Sequence, residues 1–176
     1  MKRAGWLIAL GVLCASAAAA PLPQSVRAQV IYVTDGDTVK VRDAAGEEHW
    51  VRIISIDAPE KGRRDKPGQR YSDRSRKYLA ALVAGEQVLL LTRGHDDYGR
   101  MLARIWFDGT DAGLAQVCAG YAWVYEAFVT QLPAADQQAY RDCQIKAKAD
   151  RRGLWRDAHP VPPWVWRHTQ GHSDRR

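Results

Sequence analysis

An α+β fold organised around a small mixed β-barrel is what this sequence predicts, and three features predict it. Three β-patterned segments are followed by one helical segment, two further strands and two further helices, an order without βαβ alternation. Apolar and polar residues alternate along the strand segments, as they do where one face is buried. The chain of 176 residues has the length of one domain with tails, and 46% hydrophobic residues supply a core.

Taken in order, residues 1–20, "MKRAGWLIALGVLCASAAAA", combine a short basic start, an apolar stretch and a run of small residues. That is the layout of a secretory signal peptide, with cleavage expected among Ala17 to Ala20. The apolar run is short for a membrane span, and an uncleaved anchor is the weaker alternative. A lipoprotein site at Cys14 is disfavoured by the bulky Leu13 before it. The expected location is secreted or periplasmic, with no stable membrane association after cleavage. Pro-containing residues 21–28 read as a linker.

"QVIYVTD" (29–35), "DTVKVRD" (37–43) and "EEHWVRIISID" (47–57) read as three strands, with a hairpin loop around Gly46. Residues 61–70, "KGRRDKPGQR", are basic and aperiodic and read as a loop. In 71–85, Tyr71, Ser75, Tyr78, Leu79 and Leu82 recur at helical spacing and Gly85 is the stop. "EQVLLLTR" (86–93) and "RMLARIWFD" (100–108) are strands four and five. Helices follow at 111–121 and 133–153, the second opened by Pro133 and closed by Gly153. The domain thus runs over 29–156, and 157–176 is a Pro- and Trp-containing tail, expected extended, its tryptophans packing back onto the body.

The formal charge is +6, and about +4 remains once Lys2 and Arg3 are set aside with the leader. This suits an anionic partner without requiring one. Of three cysteines, Cys118 and Cys143 survive removal of the leader. One pair cannot form a structural zinc site. A disulfide is the natural expectation in an oxidising compartment, with two buried thiols the alternative. The five histidines show no ligand spacing.

Taken alone, "VTDGDTVKVRD" (33–43) reads as a turn entering a strand. The rest of the chain adds weight to its acids. Asp35 and Asp37 close the first strand, and Asp57 and Glu60 end the third in "RIISIDAPE". Arg52 interrupts that apolar strand, on the face expected to carry Ile54 and Ile56, and Arg100 opens the fifth. Four carboxylates without histidine or thiolate form a hard-oxygen set of the kind Ca²⁺ takes. Two arginines are forks matched to phosphate oxygens. A cation, two arginines and a spare carboxylate are the parts needed to hydrolyse a phosphodiester.

"DGDT", "RIISIDAPE", "PGQRY" leading into a helix, and "DDYGRMLARI" together resemble the motifs of the thermonuclease family, the staphylococcal nuclease-like proteins, from about Val30 to Trp155. The resemblance implies a five-stranded OB-type β-barrel with three α-helices. It implies a Ca²⁺-dependent nuclease acting on single-stranded DNA and RNA, with a monomer expected. Asp37 and Asp57 would ligate the metal, with the backbone carbonyl of Ala58 and, through water, Asp35. Glu60 would be the general base, Arg52 and Arg100 would grip phosphate, and Tyr98 would meet the nucleotide. Three departures stand out: Ala58 where threonine is common, Asp97 in place of a lysine, and no clean match for the aromatic pair of the nucleotide pocket. Trp123, Tyr125 and Phe128 lie near that pair without a settled register, and such residues are more often packing residues than base-stacking platforms. The competing reading is a non-catalytic nuclease-like OB module that binds nucleic acid or protein.

Overall fold

The computed structural model describes residues 24–63 and 66–173. The signal peptide read at 1–20, with Cys14, lies outside the described residues. β1 (Gln24–Val33) pairs antiparallel with β2 (Thr38–Asp43) along one edge and with β5 (Gln87–His95) along the other. β2 pairs antiparallel with β3 (Glu48–Ile53), and β5 with β6 (Met101–Phe107). The ring closes through parallel pairing of β3 and β6, with Val51 opposite Met101, Arg52 opposite Leu102 and Ile53 opposite Ala103. This is a closed five-stranded barrel, which leaves no long open sheet edge among the described residues.

The inward residues are those the alternation selects. Val30, Val39, Val41, Val51, Ile53, Val88, Leu90, Ala103 and Ile105 are buried in one core. Burying each valine, leucine or isoleucine of this set is worth about 1.5–3 kcal/mol. Helix α1 (Ser72–Val83) adds Ser75, Leu79 and Val83 from one face, and the left-handed Gly85 (φ +82°) turns the chain out of it into β5. A short β7 (Thr110–Asp111) runs beside β6, and α2 (Ala112–Cys118) follows with Asp111 as its cap, accepting from the N–H groups of Gly113 and Leu114. β4 (Ile56–Asp57) and β8 (Trp123–Val124) form a separate two-stranded sheet.

The helix α3 (Glu126–Val129) is short, and α4 (Ala134–Ala149) packs across α2. Cys118 on α2 and Cys143 on α4 form a disulfide, their Cα atoms 4.6 Å apart. On the outer face of β6, Arg104 donates from Nε and Nη2 to Asp111 Oδ2 (3.0 and 2.8 Å) and from Nη1 to Asp136 Oδ2 (2.7 Å). The Tyr140 hydroxyl donates to the same Asp111 oxygen at 2.9 Å. This network ties β6, β7 and α4 together.

Four expectations are corrected. The segment 47–57 is not one strand: Ser55 takes φ +71°, which a strand cannot propagate, and the chain breaks into β3 and β4. Arg52 therefore does not continue along one face with Ile54 and Ile56. Residues 24–28 of the expected linker belong to β1, where Ser25, Arg27 and Gln29 pair with Leu91, Leu89 and Gln87. The third long helix stops at Ala149 and a 3₁₀ turn (Gly153–Arg156) follows. The tail is not extended: α5 (Pro163–Ser173) starts with proline at its first position, where the missing N–H costs nothing. No helix among the described residues is long and apolar enough to cross a membrane.

Candidate active site

The site begins at the Asp35-Gly36-Asp37 loop between β1 and β2. Gly36 is required there because of its neighbours: a Cβ would lie 1.8 Å from Ser75 Oγ and 2.7 Å from the Ala58 Cβ. The backbone is thus pressed against α1 and against the segment after β4. Gln116, fully buried on α2, holds it by donating to the Gly36 carbonyl at 2.6 Å and to that of Ser75 at 3.1 Å. Asp35 accepts from the Asp37 N–H at 3.1 Å.

Asp37 and Asp57 meet across Arg52. Arg52 Nη1 lies 3.1 Å from Asp37 Oδ2 and Nη2 donates to Asp57 Oδ1 at 3.0 Å. The other Asp37 oxygen accepts from the Thr38 hydroxyl at 3.0 Å. Asp37 Oδ2 also accepts the N–H of Ala58 at 2.7 Å, so the residue expected to offer a carbonyl is fixed here through its amide. The break at Ser55 brings Asp57 round, and its pairing opposite Trp123 of β8 fixes it.

Glu60 is set by Gln69 of the "PGQRY" motif. The Gln69 side chain accepts the Glu60 N–H at 3.1 Å, and the Gln69 N–H donates to the Glu60 carbonyl at 2.8 Å. The Gln69 amide also donates to the Val161 carbonyl at 2.5 Å, linking this loop to the tail. The tail contributes a residue that sequence reasoning missed. Arg167 of α5 donates from Nη1 to Asp57 Oδ1 (3.1 Å) and Glu60 Oε1 (2.5 Å), and from Nη2 to Asp57 Oδ2 (2.8 Å). It follows no motif, and only a helical reading of "PWVWRH" could have placed it. Lys61, Arg63, Lys66 and Trp166 line a groove of about 260 Å³ with Glu60 and Arg167.

Arg100 and Tyr98 lie on the turn between β5 and β6. Asp96 accepts the N–H groups of Tyr98 and Arg100 and, at 2.8 Å, Arg100 Nε. Arg100 lies 5.5 Å from the centroid of the Tyr98 ring, which is 86% exposed. The register of β3 and β6 begins just after Arg100, with Met101 opposite Val51 and Leu102 opposite Arg52. Arg100 forms its ion pair with Asp96, not with a site carboxylate. The structure thus brings Asp35, Asp37, Arg52, Asp57, Ala58 and Glu60 together, whereas the contacts of Arg100 and Tyr98 are with Asp96 and with each other on their own turn.

Electrostatics mark the acidic cluster as overloaded. Burial, joined by the Asp37 charge, pushes the Asp35 carboxyl up to about 7. Burial also raises Asp57, against the opposing pull of Arg167 and Arg52. Two carboxyls with raised proton affinities, Asp35 and Asp57, fit a hard divalent cation, which would relieve the same excess of negative charge. Among the described residues no group of three or more His, Cys, Asp or Glu side chains is placed to hold a metal ion by itself. Backbone oxygen and water would therefore complete the coordination shell.

The aromatic residues near the expected nucleotide pocket have other company. Trp164 of α5 sits 5.7 Å from Trp123 and 5.8 Å from Tyr125, centroid to centroid. Trp123 also meets Trp155 edge-on at 4.3 Å, and Tyr125 lies 5.4 Å from Phe128. These rings form the platform on which α5 is docked.

Comparison with known sequences bears on the whole domain. A sequence model described as "Staphylococcal nuclease homologue" matches residues 50–157, from β3 to just past the 3₁₀ turn. An "Uncharacterized endonuclease" of Escherichia coli O157:H7 is 40% identical over 146 residues, 81% of this chain and 86% of that one. "Protein ParB" of Escherichia coli is 33% identical over 178 residues, 95% and 94% of the two chains. A "Micrococcal nuclease" of Shigella flexneri is 33% identical over 174 residues, 90% and 94%. The model match contains Arg52, Asp57, Glu60 and Arg100 and leaves the Asp35–Asp37 loop and α5 on either side.

Proposed function

Since the chain belongs to the family of staphylococcal nuclease homologues, we propose that it is an exported, Ca²⁺-dependent nuclease that hydrolyses phosphodiester bonds of single-stranded DNA and RNA. The observation that carries this reading is the meeting of Asp37 and Asp57 across one arginine, with Glu60 alongside. The names of the relatives, endonuclease and micrococcal nuclease, support nucleic-acid hydrolysis. The leader-like residues 1–20 support export.

Asp37 and Asp57 would hold the metal, with the Ala58 carbonyl and, through water, Asp35. When bound, the ion supplies charge stabilisation at a phosphoryl oxygen. Arg52 and Arg100 present guanidinium forks to the remaining phosphate oxygens, whose charge grows as the transition state forms. Glu60 takes a proton from the attacking water at its carboxylate. The water oxygen bonds to phosphorus, and the bond to the leaving ester oxygen breaks and its electron pair departs with that oxygen. Calcium suits a loose site shared with water better than Mg²⁺, which demands tight octahedral geometry.

The test is to incubate purified protein with single-stranded and duplex DNA and RNA in Ca²⁺, Mg²⁺ or chelator. Rapid cleavage of single strands in Ca²⁺, weak cleavage in Mg²⁺ and none in chelator are expected. Undiminished cleavage in chelator removes the metal from the reading, and no cleavage of any polymer in any ion overturns it.

A further inference from the structure

The outer face of the barrel carries one register row that the proposed chemistry does not use. Tyr32 on β1 stands opposite Lys40 on β2, and Lys40 opposite Trp50 on β3. Tyr32 is 52% and Trp50 43% exposed, whereas their neighbours Val33, Val39 and Val51 are buried in the core. Strict alternation would send Tyr32 inward with Val30. A register shift between Val30 and Tyr32 turns it outward instead. Lys40 Nζ lies 5.4 Å from the Trp50 ring and pairs with Glu48 at 2.5 Å. The next row holds Thr38 opposite Arg52, and parallel register sets Met101, which follows Arg100, beside Val51, which follows Trp50.

An exposed aromatic, a cation and a second exposed aromatic therefore run across three rigid strands, one row from Arg52. Scattered surface rings need no explanation, but two in one row that leads into a candidate phosphate site do. Resting on the nuclease reading, we propose that Tyr32, Lys40 and Trp50 form a stacking platform for a single-stranded segment flanking the scissile phosphate. Unstacked bases lie on the two rings, and the backbone passes Lys40 and Arg100. Duplex, whose bases are already stacked, is excluded by the same chemistry.

The test uses a Glu60→Gln background in Ca²⁺, so that the strand is held and not cut. Fluorescence anisotropy of a labelled oligothymidylate of about 12 nucleotides reads affinity, with unfolding midpoints as a folding control. Trp50→Thr and Tyr32→Thr, which keep strand-forming residues, each weaken binding roughly 5- to 100-fold. Trp50→Phe and Tyr32→Phe keep most of it. Equal affinity for the threonine variants and the parent overturns the platform alone. A parent that binds no oligonucleotide overturns the nuclease reading as well.

Arg167 carries a second inference on separate observations. Trp164 docks α5 on Trp123 and Tyr125, and the next turn of helix sets Arg167 against both oxygens of Asp57 and one of Glu60. Asp57 is 2% exposed on its side chain and Arg167 44%, so a half-exposed cation reaches down to a buried anion. A metal ion at Asp57 needs an oxygen that Arg167 already holds. We infer that Arg167 is a tethered competitor for the cation site, so that α5 latches the site closed until a divalent ion displaces the guanidinium.

Such competition is reciprocal: the ion loosens the helix as much as the helix weakens the ion. Titration calorimetry with Ca²⁺ tests the first half, and Arg167→Gln binds Ca²⁺ roughly 5- to 50-fold more tightly than the parent chain. Hydrogen exchange tests the second, with Ca²⁺ speeding exchange in Pro163–Ser173 and leaving β1 to β3 unchanged. Equal affinities with unaltered exchange overturn the latch. Loss of Ca²⁺ binding by both proteins overturns the metal reading and the latch together.

Discussion

Gln116, buried in α2, donates its side-chain amide to the carbonyl oxygen of Gly36 at 2.6 Å. A residue with no place in any motif thus holds the loop that carries Asp35 and Asp37. Gln116→Leu leaves the Gly36 and Ser75 carbonyls without this donor, at a cost of about 1–3 kcal/mol each. Thermal unfolding shows the lower stability, and cleavage of single-stranded DNA at saturating Ca²⁺ falls as the loop loosens. Full activity with reduced stability would confine Gln116 to packing.

Gly36→Ala meets Ser75 Oγ and the Ala58 Cβ, and overpacking of this kind costs about 1–3 kcal/mol. Ser75→Ala removes the closest of those atoms. The double variant is therefore expected to recover part of the unfolding midpoint that Gly36→Ala loses. A double variant no better than the single one would mean that the remaining contacts, with the Cβ atoms of Ala58 and residue 75, are what fails.

Asp111 anchors Arg104, Tyr140 and the start of α2 at once. Asp111→Ala leaves Arg104 buried with only Asp136 and removes a helix cap, so a loss of about 3–5 kcal/mol is expected. Tyr140→Phe removes one hydrogen bond and costs about 1 kcal/mol. Denaturant titration measures both, and equal losses would show that the charge on Asp111 carries no weight.

Arg100→Lys keeps the charge and loses the fork. A contact made chiefly in the transition state predicts a fall in the single-turnover rate that far exceeds any change in substrate affinity. Weaker binding at an unchanged rate would assign Arg100 to holding the ground state. Asp96 already orients this arginine, so Asp96→Asn is expected to show a milder form of the same defect.

The loop closed by the disulfide spans 25 residues and contains β8, which pairs with β4 and so with Asp57. Loop entropy alone gives about 3 kcal/mol of stabilisation. Reduction is therefore expected to lower the unfolding midpoint and, because β8 is the neighbour of Asp57, to weaken Ca²⁺ binding as well. Calorimetry on the alkylated protein checks this, and unchanged Ca²⁺ affinity would show that β8 holds its place without the cross-link.

Much of the fold was legible because period-2 alternation and buried valines are local signals. Val39, Val41, Val51, Ala103 and Ile105 all lie where their spacing puts them. The acidic loop and the Arg52 strand were legible because charge inside apolar runs needs partners. What escaped was non-local or conformational. The break at Ser55 depends on a positive φ that serine does not advertise. The outward turn of Tyr32 depends on a register shift set by both neighbouring strands. Helix α5 was hidden by prolines that read as extended chain, although one of them starts the helix. Arg167 was hidden with it, 110 residues from its partner Asp57.

That separation has a bearing on the order in which the molecule is made. All five barrel strands lie in the sequence before Asp108, and Arg167 follows about 60 residues later, several seconds of synthesis at about 5–20 residues per second. As the chain leaves the ribosome, the acidic loop and Asp57 are therefore available to folding before their guanidinium partner exists. A chain that stops short of α5 carries the barrel and its carboxylates without Arg167. The C-terminus, not the motif-bearing barrel, is then where truncation or an appended tag would alter the behaviour of Asp57.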